Sequence, residues 1–261
     1  MTSIMHKTMN PLIDLSGKNA IVTGGSRGVG RATALLLARA GAGVGIAYRS
    51  RHEDAAAVVA ECREFGVHAW SVAGDLSLVE DVEALFERGD QEFGGLDMFV
   101  GNHGIWPPVD AAIADMTDEQ WHTTMGANLH SIFYSCRAAA RRIRDDGRIV
   151  LVSSTAGQRG ESYHADYAST KGAMISLVKG FCIEVASRGI TVNSVAPGWI
   201  LTEMSEDALE AAGDSVTASI PIGRVATAED VAGPIVFLCS ELGRHVTGEI
   251  LNVNGGAVLV G

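Results

Sequence analysis

Paired cysteines are missing from this chain. The four present, Cys62, Cys136, Cys182 and Cys239, are scattered without the spacing of a zinc or iron–sulfur site. Each sits in an apolar or helical context, which reads as a buried free thiol and suits a reducing, cytoplasmic compartment. No metal is expected. Basic residues are also scarce: 20 Lys and Arg stand against 31 Asp and Glu, for a net charge of −11. Nucleic acid needs a basic face and anionic membrane surfaces attract one, so neither is an expected partner. No apolar run reaches the length of a membrane span. The opening stretch, Met1 to Asn10, lacks the apolar core of a secretory signal. Internal repeats and low-complexity linkers are absent as well.

What is present is an alternation of apolar strand-like runs and helical segments. Strands are expected at 19–23, 43–48, 68–73, 96–101, 147–153, 191–196 and 249–253. Several are continuous apolar runs, as in a parallel sheet covered on both faces. Ser77-Leu78-Val79-Glu80 and Thr117-Asp118-Glu119-Gln120 carry the capping-box pattern of a helix start. The fold class that follows is α/β: a doubly wound Rossmann-type parallel sheet of about seven strands with helices on both faces. At 261 residues a single domain over residues 15–261, preceded by an extension over 1–14, accounts for the chain. Ligands of such sheets bind beyond the carboxyl ends of the strands.

Two motifs carry chemistry. Gly24-Gly25-Ser26-Arg27-Gly28-Val29-Gly30 joins the apolar run Ala20-Ile21-Val22 to a helical stretch. Glycines there let the backbone turn tightly and let a pyrophosphate approach a helix N-terminus, although a glycine turn can also simply pack helix on strand. The second motif is Tyr167-Ala-Ser-Thr-Lys171, with Ser154 thirteen residues upstream. On a helix, Tyr167 and Lys171 share one face. A nearby ammonium favours the phenolate and is expected to lower the tyrosine pKa toward neutrality, making Tyr167 a proton donor or acceptor. Ser154, at a strand end, fits either a turn cap or a group that hydrogen-bonds a substrate oxygen. Tyr163, four residues before Tyr167, is expected on the same helix face as a pocket wall.

Together these residues resemble the short-chain dehydrogenase/reductase family, in its short single-domain branch, over nearly the whole chain from about Leu15. Gly74-Asp75-Leu76 resembles the family's adenine-contacting pair. Asn102-x-Gly104 closes the fourth strand, and Asn128 stands where the family places a catalytic Asn. Pro197-Gly198-Trp199-Ile200-Leu201-Thr202 resembles the segment that wraps the nicotinamide. The resemblance implies hydride transfer between a nicotinamide cofactor and a ketone or secondary alcohol, with Tyr167 as general acid/base. It implies that Ser154 holds the substrate oxygen, that Lys171 tunes Tyr167 and holds the nicotinamide ribose, and that Asn128 holds a relay water. It also implies a homotetramer. One departure is His103, bulky where the family has a small residue; it is expected either to stack on cofactor or to turn into the sheet.

Cofactor choice follows from charge. NAD-preferring members carry an acid at the end of the second strand, whereas this chain reads Ala47-Tyr48-Arg49-Ser50-Arg51. With Arg27 and Ser50, these guanidinium groups can clamp a ribose 2′-phosphate, unless they are only solvated loop charges. NADP(H) is therefore expected, with NAD(H) as the alternative. Trp106, Gln158, Tyr163, Trp199 and Met204 are expected to line the substrate pocket, by position after strand ends. Arg188 matches a position where acyl-carrier-protein reductases carry a docking arginine, and Arg141, Arg142 and Arg144 could add to such a patch, although a charge run is usually a solvated face. A 3-oxoacyl-[acyl-carrier-protein] reductase is accordingly the second reading, and a non-catalytic nicotinamide-binding regulator the third. For assembly, apolar stretches around 128–140 and 167–185, and the uncharged tail Ala257-Val258-Leu259-Val260, are expected interfaces.

Overall fold

The computed structural model describes residues 12–259. It contains one sheet of seven strands, all parallel, in the order β3-β2-β1-β4-β5-β6-β7. The strands are β1 (Asn19–Thr23), β2 (Gly43–Tyr48), β3 (Ala69–Ala73), β4 (Leu96–Gly101), β5 (Ile143–Val152), β6 (Thr191–Pro197) and β7 (Ile250–Val253). The helices are α1 (Gly28–Arg39), α2 (His52–Glu64), α3 (Val79–Phe93), α4 (Asp118–Met125), α5 (Ser131–Arg142), α6 (Thr155–Arg159), α7 (Ala165–Val185), α8 (Glu206–Ala212), α9 (Asp214–Ala218) and α10 (Ala228–Cys239).

Strand side chains alternate between two cores because successive residues point to opposite faces. Ala20, Val22, Met98, Val100, Val150 and Val152 pack with α1, α2 and α10. Ile21, Phe99, Ile149 and Leu151 pack with α3, α5 and α7. The strand order reverses between β1 and β4. Parallel strands diverging to opposite sides there leave a crevice at their carboxyl ends, where a ligand can reach several loops at once.

Local details differ from the sequence reading. Ser77 does not cap α3: the cap position is Leu78, and Ser77 donates to Asp75 Oδ1 through both N (3.0 Å) and Oγ (2.7 Å). Thr117 does cap α4, accepting from Gln120 N at 3.1 Å. A complete capping box forms instead at α10, between Thr227 and Asp230. β5 begins at Ile143, earlier than expected, and its pairing with β4 shifts register between Leu96 and Met98. Within the expected 1–14 extension, residues 1–11 lie outside the described residues; Leu12 is exposed and Ile13 packs on the core. Val260 likewise lies outside them, and Leu259 is exposed.

Candidate active site

The glycine turn shapes the mouth of the crevice. Gly24 (φ +65°) and Gly28 (φ +52°) occupy the left-handed region that glycine enters without steric cost. Gly30 is fixed by space: a Cβ there would lie 2.1 Å from Gly24 O and 2.6 Å from Asn102 Nδ2. Gly30 therefore stands behind the turn and lets α1 meet β1; it is not on the wall where the sequence reading put it. Asn102 ties the end of β4 to the turn, donating from Nδ2 to Thr23 O (3.0 Å) and Gly24 O (3.3 Å). At the start of α1, Arg27 makes no side-chain cap and the first turn has no acid. The helix-start N–H groups thus lack a side-chain anion, which suits a phosphate.

A cavity of about 360 Å³ opens at this point. Its wall brings together Gly24, Ser26, Arg27, Gly28 and Val29 from the turn; Tyr48, Arg49 and Ser50 at the end of β2; and Asp75 and Leu76 after β3. Asn102 and Gly104 after β4, Ser154, Tyr167 and Lys171, and Pro197, Gly198, Ile200 and Thr202 from the end of β6 onward complete it. A second cavity of about 120 Å³ adjoins it, walled by Trp106, Trp199, Met204, Arg159 and Glu161. Ser154, Tyr167, Gly198, Ile200, Thr202 and Met204 face both. The cradle, its size and its converging guanidinium groups fit a dinucleotide.

Ser154 caps α6 through its hydroxyl, accepting from Ala156 N at 3.1 Å, and lies near enough to Tyr167 to act on its pKa. The turn-cap and substrate-facing readings of this serine are therefore compatible. Lys171 is buried, with Nζ 2.8 Å from Val152 O and 5.6 Å from the Tyr167 ring centroid. This geometry corrects the expected pKa. Burial pushes Tyr167 up to about 12, against a lowering by the Ser154 hydrogen bond and with a further rise from the Glu161 charge. Burial also brings Lys171 down to about 8. Desolvation of both groups outweighs the attraction expected from their helical spacing.

Asn128 sits in a π-helical turn, Gly126–His130, a distortion that commonly marks functional sites. Its amide is fully buried behind the cavity wall: Oδ1 accepts from Ile105 N (2.7 Å) and Nδ2 donates to Ile105 O (2.8 Å). Between it and Lys171 lies Gly104, where a Cβ would stand 3.1 Å from Asn128 Oδ1 and 3.6 Å from Lys171 Nζ. His103, half-buried, also lines the large cavity. Its nitrogens lie 2.7 Å from Thr23 Oγ1 and from Ser131 Oγ, and burial holds its pKa down to about 3, so it is neutral.

Several expected residues fall elsewhere. Gln158 points away from the pocket, donating to Asn252 Oδ1 at 2.6 Å. Tyr163 precedes α7 in a turn with φ +65°, is exposed, and shares no helix face with Tyr167. Arg49 pairs with Asp75 at 3.0 Å instead of standing free. Arg188 is occupied within the fold, donating to Ala140 O (2.7 Å), Ile143 O (2.5 Å) and Asp145 Oδ1 (2.8 Å), so it closes the end of α5 and is not a free docking cation. Arg142 and Arg144 are likewise paired, with Glu83 and Asp97. Arg51, one of the expected guanidinium groups, is on the large cavity, where it meets Glu203. Glu203 itself, and Glu161 in the small cavity, were absent from the expected site.

Comparison with known proteins bears on this geometry. A family model described as enoyl-(acyl carrier protein) reductase matches residues 24–258. The 3-oxoacyl-[acyl-carrier-protein] reductase of Vibrio cholerae is 38% identical over 250 residues, 95% of this chain and 100% of that one. The L-rhamnose 1-dehydrogenase (NAD(P)(+)) of Azotobacter vinelandii is 37% identical over 250 residues, 93% of this chain and 97% of that one. Among solved structures, a short chain dehydrogenase from Burkholderia cenocepacia in complex with NADP superposes with a TM-score of 0.88. It is 35% identical, and the match covers 93% of this chain and 98% of that one.

Proposed function

The chain belongs to the short-chain dehydrogenase/reductase family and is an oxidoreductase of carbonyl and alcohol groups, and from that premise we propose that Tyr167 moves the proton to and from the substrate oxygen. The observation that carries this is the placement of Tyr167 and Ser154 on the wall shared by the two cavities. A group lodged in the large cavity and one in the small cavity would meet beside that hydroxyl pair.

The large cavity is read as the NADP(H) site. Gly24, Ser26, Gly28, Val29 and the start of α1 would hold the pyrophosphate, and Asp75 with Leu76 the adenine. Tyr48, Arg49 and Ser50 with Arg27 would face the adenosine ribose. Asn102 and Gly104 would line its middle. Pro197, Gly198, Ile200 and Thr202 would hold the nicotinamide end. When bound, the nicotinamide supplies or accepts the hydride. Ser154 Oγ would position the substrate oxygen and stabilise charge developing on it. The raised pKa of Tyr167 keeps it a phenol at neutral pH, the form that donates in reduction. Lys171, with a pKa of about 8, keeps most of its charge at that pH and would steady the phenolate left after donation. Asn128, packed against Ile105 one glycine away from Lys171, would support the refilling of that proton.

In the small cavity, Trp106, Trp199 and Met204 offer apolar surface, while Glu161 adds a carboxylate. That lining suits a neutral ketone or secondary alcohol. The similarity to 3-oxoacyl-[acyl-carrier-protein] reductases supports acyl-chain ketones as one class to test, although the engagement of Arg188 gives no support to docking of a carrier at that residue. The convergence of Ser154, Tyr167 and Lys171 favours turnover over a purely regulatory role. A cytoplasmic location accords with four buried free thiols, and no helix among the described residues is long and apolar enough to cross a membrane. A homotetramer is read from exposed Phe133 on α5 and Ile183 on α7 and from the exposed tail at Leu259. The apolar circumference expected of these helices is otherwise internal, since Ile132, Ala138, Ala139, Met174, Val178 and Phe181 are buried.

The test is a panel of ketones, 3-oxoacyl thioesters and sugars with NADPH and NADH, read by nicotinamide absorbance. Tyr167→Phe should remove turnover while leaving NADP⁺ binding and the fold intact, since it deletes one hydroxyl. Near wild-type rates in that variant would overturn the assignment of the proton donor.

A further inference from the structure

Three charged side chains from three distant segments meet where Arg27, Tyr48 and Ser50 line the large cavity. Arg27 occupies the cap position of α1, Arg51 that of α2, and Glu203 follows the strand β6 segment. A single oxygen, Glu203 Oε2, accepts from Arg27 Nη1 at 2.5 Å and pairs with Arg51 Nη2 at 2.9 Å. Arg27 pairs with no other acid among the described residues. Thr202, the preceding residue, lies over the glycine turn: a Cβ on Gly28 would meet its Cγ2 at 3.4 Å.

A carboxylate bridging two guanidinium groups makes the same charge-assisted contacts that a phosphate oxygen would make. The acid that NAD-preferring relatives place at the end of the second strand is absent here, yet a carboxylate reaches the same guanidinium groups from across the cleft. All three side chains keep 43–49% of their surface exposed. Pairs that open to water are weak and readily exchanged, so the bridge is a replaceable occupant and not a structural clasp.

We propose that Glu203 is the cofactor-selecting residue of this protein: its carboxylate occupies the Arg27–Arg51 pair that a ribose 2′-phosphate would bind, so NADP(H) must displace it while NAD(H) leaves it in place. This rests on reading the large cavity as the nicotinamide-cofactor site. Displacement would also be felt at the substrate, because Met204, the next residue, lines both cavities.

The test is equilibrium calorimetry of NADP⁺, NAD⁺, 2′,5′-ADP and 5′-ADP against the wild type, Glu203→Gln and Glu203→Ala. The alanine variant guards against a glutamine that itself bonds the arginines. Both variants should bind NADP⁺ and 2′,5′-ADP about three- to tenfold more tightly, the range expected for releasing two exposed ion pairs. NAD⁺ and 5′-ADP should change by less than about twofold. Arg51→Ala should weaken the 2′-phosphorylated ligands alone. If the ratio of NADP⁺ to NAD⁺ affinity is the same in the wild type and both Glu203 variants, the inference falls and the cofactor site stands. If the wild type binds neither dinucleotide, the cofactor site falls and the inference with it.

Discussion

Glu161→Gln should make this enzyme faster in the oxidative direction at alkaline pH. Glu161 lines the small cavity beside Tyr167, and its charge is one of the influences that raise the tyrosine pKa. Glutamine keeps the shape and removes the charge. Two unit charges 4 Å apart at an effective dielectric of about 20 interact by ~4 kcal/mol, and doubling the separation halves this. Burial and the Ser154 hydrogen bond both outrank Glu161 in setting the Tyr167 pKa, and the Glu161 side chain is only partly buried. One pKa unit corresponds to about 1.4 kcal/mol of such an interaction. Oxidation needs the tyrosinate as base. With a pKa near 12, that form is scarce at working pH and grows tenfold per pH unit. Each unit by which the pKa falls raises the tyrosinate fraction about tenfold at about pH 9, so the oxidation rate should rise by up to that factor per unit. Glu161 has its own raised pKa, chiefly from burial, and is neutral below it. The gain should thus fade as pH falls through that value, where wild type and variant carry the same charge. The assay is the initial rate of oxidation of an alcohol found active in the substrate panel, followed from about pH 5 to about pH 9.5. A variant no faster than wild type at the alkaline end, or equally faster at every pH, would refute the electrostatic coupling.

Two further outcomes test the scaffold. Gly30→Ala should destabilise the fold by about 3 kcal/mol or more, because its Cβ would collide with backbone at Gly24 and nothing flexible can yield; chemical denaturation measures this, and a loss under about 1 kcal/mol would show that the turn tolerates a side chain. Size exclusion with light scattering should find a tetramer at micromolar concentration, with Ile183→Glu shifting it to smaller species, whereas a stable wild-type monomer would rule the assembly out.

Most of the frame was legible because local patterns and tertiary packing agree. The apolar runs of β1, β2 and β4 stop at the same residues in sequence and structure, since each ends where a glycine or polar residue enters the cleft. Ile143-Arg144-Asp145-Asp146 gave no strand signal, as its charges face solvent while only Ile143 is buried. At the site, spacing brought Tyr167 and Lys171 together but was silent on how deeply both are buried, and that burial sets the electrostatic outcome. Tyr163 misled for a related reason: the four-residue spacing to Tyr167 assumes a continuous helix, and a positive φ interrupts it. The Gln158–Asn252 and Arg27–Glu203 contacts join residues 94 and 176 positions apart, beyond any local pattern.

Ser154 has a consequence of another kind. Groups that serve chemistry usually sit poorly in the fold, so replacing them gains stability at the expense of activity. Here the hydroxyl facing the shared wall also begins a helix, an arrangement whose loss costs about 1 kcal/mol. Ser154→Ala would forfeit stability and catalysis together. At this position the usual trade-off is abolished, and selection for a sturdier protein and for a faster one would both retain the same side chain.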